Sequence, residues 1–171
     1  DAGVRAALAA TAAELRTACG GRVPLACKLH LTLAFLGSVP AARLPELEDI
    51  AAETATQPAC HSSMLTLDRI GWWRRSRLVW AGVQHCPNEL DALAAALADK
   101  LRARGFVIEQ RRFRPHVTLI RDADRVPAQT TCGPISWRAR QFVLACAQPG
   151  DRGVEYQVVG NWRLKDVSTG L

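Results

Sequence analysis

The stretch Lys28-Leu29-His30-Leu31-Thr32-Leu33-Ala34-Phe35 has a second form past the middle of the chain, Arg114-Pro115-His116-Val117-Thr118-Leu119-Ile120-Arg121. Both read His-x-Thr-Leu. Side chains alternate between the two faces of an extended strand, so His30 and Thr32 share one face, and Leu31, Leu33 and Phe35 the other. In the second copy His116 and Thr118 share a face, backed by Val117 and Leu119. A single His-x-Thr triplet is an ordinary half-buried histidine on a strand. Here the same polar pair recurs with the same apolar backing, 86 positions apart (116 minus 30) in a chain of 171 residues. That spacing suits two similar halves, each presenting one strand to a shared cleft.

Two histidines facing one another can divide acid and base work, because imidazole titrates near neutrality and one ring can be neutral while the other is protonated. A threonine two positions on offers its hydroxyl to a phosphate oxygen, so two such pairs form a cradle for one phosphate. The chemistry this suits is in-line displacement at a phosphodiester. One histidine takes a proton from water and the other protonates the leaving oxygen. No acidic cluster of the kind a two-metal nuclease uses is present in the sequence.

Composition sets the bounds. The length fits one domain of two lobes, and 49% hydrophobic residues supply a substantial core. Lys and Arg outnumber Asp and Glu by 22 to 16, a formal charge of +6 that favours a polyanionic partner such as RNA or a nucleotide. The six cysteines (Cys19, Cys27, Cys60, Cys86, Cys132, Cys146) form no C-x-x-C pair, so they read as buried thiols in a reducing compartment. With no signal-like start and no long apolar run, the expected setting is the cytoplasm, away from membranes.

Helices are expected over about 3–19, 41–54 and 88–104, from apolar residues at helical spacing and closing glycines. Strands are expected over about 29–36, 64–70, 77–84, 106–110, 116–121, 136–147 and 154–164. The mixed order predicts an α+β fold of antiparallel sheets with helices on their outer faces. Trp72-Trp73-Arg74-Arg75 falls between two strands, where it is either a plain hairpin turn or a base-stacking, backbone-contacting tip. Trp80 reads as core, and His61 and His85 as surface or loop residues. Arg111, Arg112 and Arg114 form either a positive rim or a solvated charged stretch.

Leu29 to Gly37 and Phe113 to Leu119 resemble the paired His-x-Thr motifs of the two-histidine phosphoesterases, and within them the RNA 2′,3′-cyclic phosphodiesterases, also called 2′-5′ RNA ligases. The resemblance extends over nearly the whole chain. It implies a single bilobal domain over 1–171, with pseudo-twofold symmetry and a central cleft. It also implies hydrolysis of a terminal 2′,3′-cyclic phosphate to a 2′-phosphomonoester without metal or other cofactor. His30 matches the family's proton donor to the leaving 3′ oxygen, His116 its base for water, and Thr32 and Thr118 its phosphate-binding threonines. Arg121 matches a basic residue that follows the second motif. Strict alternation puts Arg121 on the face opposite His116, so reaching the cleft requires the strand to bend or bulge. The implied partners are RNA ends or nucleotides bearing a cyclic phosphate, met by a monomer. The same four residues also suit a phosphodiesterase of small cyclic nucleotides or 2′-5′ linkages, or a module that binds RNA without chemistry. Family members usually begin with an apolar strand ahead of the first helix, whereas this numbering enters the helix directly from Asp1.

Overall fold

The computed structural model describes residues 1–150 and 153–166, which form two compact units of mixed helices and antiparallel strands. The fold class is α+β, as expected. The first unit comprises Asp1–Thr32, Met64–Cys86 and Arg114–Trp137; the second comprises Leu33–Ser63, Pro87–Phe113 and the stretch from Arg138. Both His-x-Thr motifs fall in the first unit rather than one in each.

The first unit opens on helix α1 (Ala2–Cys19). The Asp1 carboxylate accepts hydrogen bonds from the Gly3 and Val4 amides and so satisfies orphan donors of the first turn. Gly20, at φ 69°, ends the helix in a conformation that a side chain disfavours. Val4, Leu8, Ala12, Leu15 and Cys19 recur every three or four residues as one buried stripe. The stripe packs α1 against the strand β3 (His116–Ile120), which belongs to a sheet with β1 (Ser63–Trp73) and β2 (Leu78–Gly82). Together with β4 (Thr131–Ala139) these strands form a sheet of order β3-β2-β1-β4. Its apolar side includes Leu65, Leu67, Val79, Ala81, Val117, Leu119 and Ile120, each 1% exposed or less.

The second unit holds α2 (Leu44–Ala55), α3 (Asn88–Ala103) and a hairpin of β5 (Gln141–Gly150) with β6 (Gly153–Arg163). Leu47 and Ile50 of α2 meet Leu101 of α3 and Phe106, joined by Ala34, Leu36, Ile108 and Leu144. Glu53 of α2 accepts hydrogen bonds from Lys100 (2.8 Å) and Arg104 (2.9 Å), which hold its carboxyl below the usual range.

Several sequence expectations give way to tertiary packing. The strand expected over 29–36 is a short 3-10 turn (Ala26–Lys28) followed by a single bridge at Leu31. Beyond Thr32 the chain leaves the β3 edge, because Leu33, Ala34 and Leu36 are taken up by the cores of the second unit. Phe35, assigned to the apolar face, is 75% exposed. Residues 106–110 are not a strand: Phe106 and Ile108 pack as single anchors on α2 and α3. The strand expected over 136–147 is two strands broken at Arg140. Of the cysteines, all six free, Cys19 and Cys60 are buried but Cys27 is exposed and the rest are intermediate. No helix among the described residues is long and apolar enough to cross a membrane.

Candidate active site

The decisive pairing is a single antiparallel bridge between Leu31 and Val117. Directly opposed residues of an antiparallel pair sum to a constant, so this register sets His30 across from Thr118, and Thr32 across from His116. The four polar side chains thus form a square on the face away from Leu31 and Val117, with the histidines on a diagonal. Diagonal neighbours across an antiparallel pair lie about 7–8 Å apart, their Cβ atoms somewhat closer, a gap that a phosphate group fits.

Both rings are anchored alike. His30 Nδ1 lies 2.7 Å from the carbonyl oxygen of Lys28, and His116 Nδ1 lies 2.7 Å from that of Arg114, each two residues upstream. A carbonyl only accepts, so each Nδ1 carries the hydrogen and donates. The tautomer is thereby fixed, and Nε2 is the nitrogen that takes or gives a proton.

Arg121 owes its position to an irregularity in β3. Trp80 pairs with Thr118, yet the preceding Val79 pairs with Ile120, so β3 carries one extra residue at Leu119. Leu119 and Ile120 are consecutive, and both are fully buried, which alternation forbids in a regular strand. After this bulge the parity is inverted, and Arg121 returns to the face of His116 and Thr118. Its backbone is tied to Arg22 by hydrogen bonds in both directions, 2.8 and 2.9 Å. Gly21, at φ 81°, allows this approach: a Cβ there would sit 2.6 Å from the Arg121 carbonyl oxygen. Asp122 follows, its carboxyl hydrogen-bonded by Arg22 and near the charges of Arg77 and Arg121, so it titrates below the ordinary aspartate range.

Two aromatic residues complete the site, and the sequence reading placed both elsewhere. The β1–β2–β3 register aligns Gly71, Trp80 and Thr118 in one row and Arg69, Gly82 and His116 in the next, all on the polar face. Trp80 is therefore half-buried beside the site rather than in the core. Its indole lies over two glycines: a Cβ at Gly71 would fall 2.0 Å from the ring, and one at Gly82 2.6 Å. Trp73, the last residue of β1 rather than a loop residue, tilts over Trp80 at 5.5 Å. It meets His116 edge to face at 4.5 Å. A readable signal existed, since glycines opposite and beside a tryptophan on paired strands commonly mark a ring laid across the backbone. His85 is exposed, whereas His61 is half-buried and bridges Lys165 in the second unit. Among the described residues, no three His, Cys, Asp or Glu side chains converge as a metal-ligand set.

Comparison with known proteins identifies the family of the chain. The family model of the 2′-5′ RNA ligase superfamily matches residues 4–145. The chain belongs to that superfamily. A relative from Escherichia coli (strain K12), the RNA 2′,3′-cyclic phosphodiesterase, is 36% identical over 145 residues, covering 84% of this chain and 80% of its own. The crystal structure of E. coli LigT complexed with 3′-AMP superposes with a TM-score of 0.86 at 32% identity, over 96% of this chain and 92% of that one. A further solved structure, TT0787 of Thermus thermophilus, gives a TM-score of 0.80 at 25% identity, over 95% of this chain and 92% of that one.

Proposed function

We propose that this chain hydrolyses the terminal 2′,3′-cyclic phosphate of RNA to a 2′-phosphomonoester, with His116 as base and His30 as acid. The observation that carries the reading is the square around the Leu31–Val117 bridge, where two rings of identical tautomer sit diagonally with a threonine beside each. In-line displacement needs the entering and leaving oxygens on opposite sides of phosphorus, and a diagonal pair of proton carriers matches that demand. His116 Nε2 takes a proton from water as its oxygen bonds to phosphorus. The bond from phosphorus to the 3′ oxygen breaks, and that oxygen takes the proton from His30 Nε2. Thr32, Thr118 and Arg121 hold the non-bridging oxygens, where charge builds in the transition state. Exchange with solvent then resets both rings.

The names of the curated relatives support an RNA end as the substrate, and the net charge of +6 suits a polyanion. Six free thiols suit a reducing setting, and we assign the reaction to the cytoplasm, carried out by a monomer. The test is a short RNA ending in a 2′,3′-cyclic phosphate, incubated with the protein in excess EDTA, the products being resolved as 2′- or 3′-monophosphate. Turnover to the 2′ product is expected. A 3′ product, or activity lost in chelator and restored by a divalent ion, overturns the reading.

A further inference from the structure

The polar face of the first unit's sheet continues past His116 along β1 and β2 to the hairpin tip. Trp80 lies over Gly71 and Gly82, Trp73 is tilted against it, and the next residues are the exposed Arg74 and Arg75. Arg69 stands in the same row as His116, across Gly82. No carboxylate among the described residues pairs with Arg69, Arg74 or Arg75, although the nearby Arg77 is paired with Asp124 and Arg22 with Asp122.

The tip is also held in place. Arg77, at φ 53°, donates from Nε to the Ala123 carbonyl (3.0 Å) and from its terminal nitrogen to that of Asp122 (3.0 Å), and its own carbonyl accepts from the Ala123 amide (2.9 Å). Indole surface beside unneutralised guanidinium groups on a fixed turn is the combination that single-stranded nucleic acid uses, bases on rings and phosphates on arginines. The backbone of the turn is therefore already placed before binding, which leaves only the side chains to be ordered.

We propose that Trp73, with Arg69, Arg74 and Arg75, seats the nucleotides preceding the reacting phosphate of a single-stranded RNA, so that an oligonucleotide end is preferred to a mononucleoside cyclic phosphate. This rests on the hydrolase reading above. It adds a selectivity that the four motif residues cannot supply, since both substrates present them with the same phosphate.

The test compares kcat/KM for a pentaribonucleotide ending in a 2′,3′-cyclic phosphate with that for a mononucleoside 2′,3′-cyclic phosphate. The wild type should favour the pentanucleotide. The double variant Arg74→Ala/Arg75→Ala should lower that preference at least about tenfold, and flatten the dependence of log KM on log salt for the pentanucleotide by roughly 1.4, two phosphate contacts on a single strand. Trp73→Phe should keep most of the preference because a ring remains, and Trp73→Leu should lose it. Equal losses on both substrates, or Leu serving as well as Phe, would overturn the proposal. A wild type inert toward both substrates sinks the hydrolase reading instead. The tract is then judged by fluorescence anisotropy of a 5′-labelled pentanucleotide 3′-phosphate: weaker binding by the arginine variant supports it, and equal binding overturns it.

Discussion

Leu31 and Val117 pair across the edge of β3, and each carries a histidine and a threonine on either side of it in sequence. One backbone bridge therefore assembles all four polar side chains, with no long-range side-chain contact needed to bring them together. The apolar pair behind does the positioning, Val117 being 1% exposed.

His30→Ala and His116→Ala each remove a proton carrier and should lower kcat about a hundredfold or more, whereas Thr32→Ala and Thr118→Ala should cost less. The two histidines should separate on an analogue whose leaving group needs no protonation: His30→Ala recovers on it and His116→Ala does not. The pH profile of kcat/KM should be bell-shaped, since one ring must be neutral and the other charged, and its limbs belong to the pair. A steady rise of rate with pH, or equal damage by both variants on both substrates, would reverse the assignment.

Arg121→Ala should weaken inhibition by the 2′-monophosphate product by roughly tenfold or more, through loss of a charge-assisted contact, with Arg121→Lys in between. Unchanged product inhibition would remove Arg121 from the phosphate site.

Gly71→Ala places a methyl group into the Trp80 ring, 2.0 Å away, and the ring has to leave its bed. A destabilisation of about 1–3 kcal/mol is expected from such overpacking, read by urea unfolding. The loss of activity should exceed the loss of folded protein, because Trp73 and then His116 rest against Trp80. A Gly71→Ala protein of wild-type activity would contradict this stack.

Asp122 is held below the ordinary aspartate value of 3.8, first by its hydrogen bond from Arg22. With the folded value depressed, its stabilisation is present above that pH and is lost as pH falls through the lower folded value. Asp122→Asn tolerates the same φ of 55° and removes the charge. The wild type should be the more stable of the two near neutrality, the gap narrowing below pH 3.8 and closing in stronger acid. A gap independent of pH would mean that the carboxylate's charge has no part in it.

The three helices and the convergence of the two histidine motifs were legible because periodicity and recurrence are local patterns, although the motifs meet at a single bridge within one unit rather than as strands of two halves. Where a side chain is recruited by a distant partner, the local pattern misleads. Leu33, Ala34 and Leu36 read as half of a strand but serve two cores of the second unit, and Phe106 and Ile108 read as a strand but plug a helix pair. Trp80 sits among apolar residues in sequence, yet faces the polar side because its cross-strand neighbour is Gly71. Such information lies in register, which no window along one strand contains.

The bulge in β3 turns a count into a diagnosis. Arg121 stands five positions after His116 (121 minus 116), an odd number, and two residues an odd number apart share the face of a strand only when one extra residue lies between them. Parity of spacing is thus a record of backbone irregularity. Among related chains, one that shortens this interval to four should have a regular β3 and keep its cation on the face of the two histidines, opposite the same residue of β2.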